Sequence, residues 1–428
     1  MLKYSKYEWG YKLLIVYIYT LLFSSSIMKM VGVPSSVGLP LIAVLDIMPL
    51  AFWFLLNPSF RIKTKEVFVD TFKFWFLWLV VLIFLLIAAN RHGGSLIPSL
   101  VHWGALVRYM PLAYIIVEIG KHIEIEDRII KQFGILAIIL ILIGYLCIIA
   151  GDNATIFLPL LPENATGERE TLEGNYSAIF ANTIDYAFIL VLFYSIFAHR
   201  QGLNKFKTAV LTLLFFVVIF KTGSAIGTTV FSCIAFFRLT QDNNSVRYSM
   251  IALLVVAICI LGYIYWDLVM LVVENAMLSR LGILTLTAPD FLSELSCDTF
   301  WGIGNDGYVV LDKINGYKDQ VWMLAAAKDG DISAFGDVYW VSLLVFHGLI
   351  GLVIICYIYY SLYKAVNKKS YIDSRFNYSK IINCFFVSII IFAFLNQVIV
   401  VKTFALVFWV FLAIVYNKIQ HNEDTSNK

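Results

Sequence analysis

Apolar residues run along this chain in blocks long enough to cross a lipid bilayer, separated by short polar stretches. A helix needs about 20 apolar residues to span the hydrocarbon core, with about 17–25 the working range. The blocks predict spans at 12–30, 38–56, 72–90, 97–117, 132–150, 176–198, 208–220, 222–237, 249–270, 338–360, 381–398 and 403–417. The fold class expected is therefore an all-α polytopic membrane protein of about 12 transmembrane helices. The seventh and eighth spans form a special pair, because residues 208–237 read as one long helix or as a hairpin turned at Lys221-Thr222-Gly223-Ser224. Charge placement decides between them. With the hairpin, 22 of the 32 Lys and Arg residues fall in segments on the side of the two termini. A single helix would send the basic 361–380 segment to the other side, against the excess of Lys and Arg in cytoplasmic loops. The hairpin reading places both termini in the cytoplasm.

On the opposite face two loops stand out. Residues 151–175 hold five acids (Asp152, Glu163, Glu168, Glu170 and Glu173) against one base, Arg169. Residues 271–337 form the only segment long enough for a folded cap, and between 274 and 337 they carry ten acids and four bases. The expected organisation is 1–270 as helices one to nine, 271–337 as a large outward loop, 338–417 as the last three helices, and 418–428 as a polar tail.

Composition narrows the class further. Hydrophobic residues make up 60% of the 428 and charged residues only 14%, against roughly 25% charged in a soluble domain. That excludes a cytosolic enzyme and a nucleic-acid binder. The six cysteines are scattered singly, with no CxxC pair and no His/Cys cluster at ligand spacing, so neither a disulfide framework nor a metal site is expected. The apolar stretch after Lys3, Lys6 and Lys12 is followed by no small-residue cleavage site and reads as an uncleaved first span. No P-loop, zincin motif or nucleophile elbow occurs, and no cofactor is expected.

The candidate chemistry lies in a few charged groups. Arg280 is the only arginine of the large loop, in Leu278-Ser279-Arg280-Leu281. Its planar fork suits a phosphate, and it equally suits lipid headgroups or a neighbouring acid. Arg169 is alone among glutamates, either a solvated pair or an anion contact. Lys221 caps the tip of the short hairpin, where a helix starting at Thr222 would add free N–H groups and a positive dipole end; a snorkelling lysine is the alternative. Arg108, deep in the fourth span, costs at least about 2.5–3.5 kcal/mol at that depth and should face the bundle, paired with Asp46 or Asp185. His102 reads as an ordinary polar residue near the outer interface, and His347 as hydrogen-bonded within the bundle. Asp337 precedes the tenth span, where it is a helix cap or a carboxylate for chemistry. Residues 337, 340/341, 344, 348 and 351 share one helical stripe, giving a small-residue packing face at Gly348 and Gly351. Trp301-Gly302-Ile303-Gly304-Asn305-Asp306-Gly307-Tyr308 reads as glycine-rich turns of the loop surface, not as a nucleotide loop.

Four pieces in order carry a resemblance: Phe220-Lys221-Thr222-Gly223-Ser224-Ala225, Ser279-Arg280-Leu281, Gly302-Ile303-Gly304 with Gly307-Tyr308, and Asp337 with Trp340 ahead of Gly348-Leu349-Ile350-Gly351. In this order and topology, over about 70–417, the chain resembles the O-antigen polymerase (Wzy) and O-antigen ligase superfamily. The resemblance implies a C-type glycosyltransferase bundle with a large periplasmic loop in the bacterial inner membrane. It implies a metal-independent, inverting transfer of glycan from undecaprenyl diphosphate to a sugar hydroxyl. Arg280 and Asp337 would be the catalytic pair, with Asp306 or Asp319 as rival carboxylates. Arg169, Lys221 and Arg108 would bind the lipid diphosphate. A polymerase joins two lipid-linked repeat units, with a chain-length regulator and a flippase as partners; a ligase transfers to lipid A-core. Two departures matter: the hairpin base is Lys221 where the family usually has Arg, and 271–337 lacks the histidine of ligases. The second favours polymerase. A lipid-linked oligosaccharide flippase is the competing class, drawing on Arg108, Asp46 and Asp185.

Overall fold

The computed structural model describes residues 2–56, 71–159, 174–180, 182–240, 282–293, 296–313, 338–367, 375–393 and 401–426, with isolated positions between 248 and 274. The predicted span at 249–270 falls almost wholly outside them. Among the described residues the chain is helical, with one isolated bridge, Arg200 to Phe376, as its only β pairing. The helices are α1 (Leu2–Met30), α2 (Ser35–Leu56), α3 (Thr71–Arg91), α4 (Leu96–Val107), α5 (Met110–Gly120), α6 (Glu126–Ala150), α7 (Thr183–Ala198), α8 (Lys205–Lys221) and α9 (Ala225–Leu239). Three short helices follow, α10 (Ala288–Ser293), α11 (Cys297–Trp301) and α12 (Gly307–Lys313), then α13 (Tyr339–Val366), α14 (Tyr378–Phe392) and α15 (Lys402–Ser426).

Among the described residues five helical stretches are long and apolar enough to cross a membrane: Lys6–Met30, Leu96–Gly120, Glu126–Phe157, Tyr339–Val366 and Lys402–His421. Other apolar helical stretches, such as Trp75–Arg91, Thr183–Ala198 and Tyr378–Phe392, are shorter among the described residues. This is an all-α membrane protein. Its centre is built from α5, α7 and the 404–417 stretch of α15, whose side chains are mostly apolar on every face and mostly buried. A helix apolar all round lies either against lipid or in the middle of the bundle, and burial places these in the middle. Few polar groups enter that middle. Asn417 of α15 donates through Nδ2 to the Ile116 carbonyl of α5 at 3.1 Å, and Gly120 makes room, since a Cβ there would stand 1.9 Å from the amide. Tyr186 of α7 donates to the Leu140 carbonyl at 2.6 Å, passing over Gly144.

The bundle has two distinct ends. At one, which we call the terminal end, Arg128 pairs with Glu8 of α1 at 2.9 Å, while Lys418 of α15 reaches Asp127 at 3.7 Å. At the other, the cap end, Arg91 of α3 pairs with Asp298 of α11 at 2.8 Å. Tyr176 donates its backbone N–H to the Lys221 carbonyl there, at 3.1 Å.

Two helices depart from the continuous form expected. The span at 97–117 breaks at Arg108-Tyr109, between α4 and α5. Pro111 explains the break, because it lacks an N–H and its ring would collide with the carbonyl of Val107 in an unbroken helix. The second departure is in α13, where Gly348 sits at φ 66°, ψ −179°. The 337–351 stripe is therefore not one straight packing face. The freed Val345 and Phe346 carbonyls accept the backbone N–H groups of Ile303 and Gly304, at 2.9 and 3.2 Å. Residues 302–304 are buried in this notch rather than forming a loop surface.

Candidate functional site

Short helices shape the cap end first. At about 1.5 Å rise per residue, the 17 residues of α8 and 15 of α9 extend to about 25 and 22 Å. Neither matches the roughly 30 Å core on its own, as the sequence predicts for the hairpin. The turn differs in detail. Lys221 closes α8, Thr222 is its C-cap, and α9 begins only at Ala225 with Ser224 as N-cap. Ser224 Oγ accepts the Gly227 N–H at 3.1 Å, and Thr222 Oγ1 accepts the Ser224 N–H at 3.2 Å. The helix start expected at Thr222 is thus displaced, because Gly223 at φ 71° turns the chain and the two hydroxyls take up N–H groups that would otherwise await an anion. What remains for binding is the Lys221 ammonium. It is exposed, and it makes no ion pair among the described residues.

The end of the acidic loop lies over this tip. Besides the Tyr176 bond to Lys221, the Asn175 side chain packs on Gly223, where a Cβ would approach its Oδ1 to 2.2 Å. The stem of the loop that bears Arg169 therefore meets Lys221. Arg169 itself lies outside the described residues, as do Arg280, Asp337 and Asp319.

Asp306 is described, and its surroundings are those of a structural carboxylate. It is 8% exposed. Its oxygens accept the backbone N–H groups of Ser95 at 2.7 Å, Tyr308 at 3.0 Å and Val309 at 3.3 Å. That set pins the start of α12 to the turn between α3 and α4. A carboxylate so engaged is poorly placed to take a proton from a substrate hydroxyl.

Nearby, Asp298 gathers three basic groups that the sequence reading passed over. Arg91 lies at 2.8 Å, His92 Nε2 at 3.0 Å and Lys313 Nζ at 3.3 Å. Burial alone would raise the Asp298 carboxyl, but His92 and Lys313 outweigh it and hold the group below the ordinary carboxylate value. The signal was the Arg91-His92 pair at the end of a span; its partner, some 200 residues on, had no local signature.

Deeper in the bundle, Arg108 sits at the α4–α5 break beside Asp46, with Nη1 3.5 Å from Oδ2. Asp46 is one of the two acids expected as its partner. Lys402, at the start of α15, reaches the same Oδ2 at 2.6 Å, and the Tyr109 hydroxyl donates to Oδ1 at 3.0 Å. Tyr17 donates to the adjacent Leu45 carbonyl at 3.0 Å. One carboxylate thus serves two cations and a phenol, drawn from the α4–α5 break and from α15.

His347 departs from expectation. It is fully buried beside the Gly348 notch, 5.3 Å ring to ring from His102, and neither ring nitrogen finds a hydrogen-bond partner among the described residues. His102 likewise keeps Nε2 buried and unpartnered there. No group of three or more His, Cys, Asp or Glu that could hold a metal occurs among the described residues.

The chain matches no protein-family model and no curated protein.

Proposed function

We propose that this membrane protein is a polymerase of undecaprenyl-diphosphate-linked oligosaccharide repeat units, making O-antigen or capsular polysaccharide. In this reading twelve helices cross the bacterial inner membrane, both termini are cytoplasmic, and 271–337 caps the periplasmic face. The observation that carries it is the ordered set of four motif pieces in the sequence. The arrangement at the cap end supports it: Lys221 stands exposed at the hairpin tip, and the Gly302-Ile303-Gly304 piece seats in the helix that carries the Gly348–Gly351 piece.

The chemistry follows from the donor. The bond from the sugar anomeric carbon to the diphosphate oxygen breaks, and a bond to the acceptor hydroxyl oxygen forms. Arg280 stabilises the charge that collects on the departing diphosphate, as preorganised cations do best. Asp337 takes the hydroxyl proton. Lys221 and Arg169 hold the diphosphate at the membrane surface, and Arg108 orients the group below. A flippase of lipid-linked oligosaccharides is the second reading, favoured by the Asp46, Arg108 and Lys402 cluster within the bundle, since intramembrane charge often marks a transport path.

Gene deletion separates the readings. For a polymerase, the deletion strain should display core capped with a single repeat unit, visible as one band in place of a ladder on a glycan-stained gel. Loss of all capped core would point to a flippase or ligase, and an unchanged ladder would sink the proposal.

A further inference from the structure

The terminal end holds a second feature that the polymerase reading leaves unused. The α7–α8 turn and the segment before α14 are tied by two backbone bonds, Gln201 N–H to the Arg375 carbonyl at 2.8 Å and Asn377 N–H to the His199 carbonyl at 3.1 Å. Beside this tie lies a cavity of about 300 Å³ lined by His199, Arg200, Lys205, Arg238 and Lys380, with no acid among its lining residues. That volume stands at the small end of ligand pockets. Arg238 is braced by donating through Nε to the Ala198 carbonyl. The first turns of α8 and α14, capped by Asn204 and Asn377, open on the same space and add the positive ends of their dipoles.

A groove continues from it. Between α9 and α14 runs an apolar depression of about 540 Å³, lined by Val230, Cys233, Phe237, Cys384, Val387 and Ile391. His199 and Lys380 line both spaces. The groove faces outward from the bundle, since Cys233, Phe237, Val387 and Ile391 are all exposed. A cationic head pocket joined to an outward apolar groove has the shape of an amphiphile with a phosphate at one end.

We infer that this is a binding site for an anionic phospholipid, its phosphate held by Lys205, Lys380 and Arg238 and one acyl chain lying in the α9–α14 groove. Basic pockets at the membrane boundary recognise anionic headgroups in this way. The pocket's charged lining is all basic, and Arg238 and Lys380 add to burial in pushing the His199 imidazole down to about 4. A soluble phosphate would use the head pocket alone, whereas the groove is what selects a lipid.

The test uses the full chain purified in a neutral detergent, titrated with dioleoyl phosphatidylglycerol, dioleoyl phosphatidylcholine or inorganic phosphate. Thermal unfolding is followed, and retained lipid is counted by native mass spectrometry. Phosphatidylglycerol should raise Tm and remain bound, and the other two should do neither. A Lys205→Gln, Lys380→Gln double variant should bind it about thirtyfold more weakly, at about 1 kcal/mol per basic residue. Should that variant fail to fold, the exposed Arg200→Gln serves in its place with a smaller loss. Cys233→Trp, which fills the groove without changing charge, should weaken phosphatidylglycerol too. Equal binding of phosphatidylcholine, an unaffected charge variant, or a phosphate effect matching that of phosphatidylglycerol would overturn the lipid site.

Discussion

Two helices of the bundle are interrupted, and the interruptions are filled by different means. At Arg108-Tyr109 side chains fill the break: Asp46 from α2 and Lys402 from α15 come in, and Tyr109 bonds to the same carboxylate. At Gly348 a foreign backbone fills it: the freed carbonyls of α13 are taken by Ile303 and Gly304. The first kind of repair is adjustable, because long side chains can re-aim and exchange partners. The second has no slack. A Cβ on Gly348 would stand 2.3 Å from the Phe300 carbonyl oxygen, and one on Gly302 would stand 2.4 Å from that of Phe346. The 302–304 segment is therefore fastened to α13 by main chain, with no room for a side chain at Gly302 or Gly348.

The contrast predicts an order of damage. Gly348→Val should be the most harmful change, combining a left-handed backbone with a direct clash. A loss of about 3 kcal/mol or more is expected, seen as a large fall in Tm or loss of a single peak in size exclusion. A variant with the Tm of the parent protein would mean that the cap does not dock there. Asp46→Asn comes next. It leaves Arg108 and Lys402 facing each other without their shared carboxylate, at a cost of about 2–4 kcal/mol reduced by their partial exposure. Adding Arg108→Gln should recover part of the loss, since it removes one of the two cations. No recovery would argue that the charges do not couple.

A further prediction sets the two ends against each other in acid. His199 at the terminal end titrates at about 4 in the folded protein, against about 6.5 when unfolded. Between those values the unfolded chain binds more protons, so stability falls as pH drops from about 6.5 towards 4. Asp298 at the cap end has the depressed carboxyl. Its contribution is present above the ordinary carboxylate value and is lost only as pH falls through the still lower folded one. The terminal end should yield first. Tm against pH for the parent and for His199→Gln checks this, the variant being flat where the parent declines.

Much of this architecture was legible in the order of apolar and polar residues. Blocks of hydrophobicity at 72–90 and 132–150 became α3 and most of α6, and the short hairpin about Lys221 appeared where charge placement put it. Local chemistry was less fully read. Pro111 stands three residues past Arg108, yet 97–117 was expected as one rod; apolarity reports burial in lipid and is silent on where a backbone bends. The glycines at 302, 304 and 348 were visible as glycines, but their use depends on two segments meeting face to face. The same limit applies to the site. That Arg108 needs an acid followed from its depth, whereas the addition of Lys402 and the gathering of Arg91, His92 and Lys313 on Asp298 follow from the fold alone. Of the residues expected to carry the chemistry, Arg169, Arg280 and Asp337 lie outside the described residues.

The position of α15 bears on how the protein is made. It is the last of the described helices to leave the ribosome, and yet it occupies the centre, its residues from Phe404 to Ile414 buried on all sides. The earlier helices must therefore enter the bilayer before the helix that packs on α5 and α7 has been made. Until then α5 shows its apolar flank and the Ile116 carbonyl to whatever is near, and Glu126 waits for His421. A ribosome stall or a frameshift anywhere before Lys402 would leave those faces of α5 and α7 uncovered, an obvious target for membrane proteases.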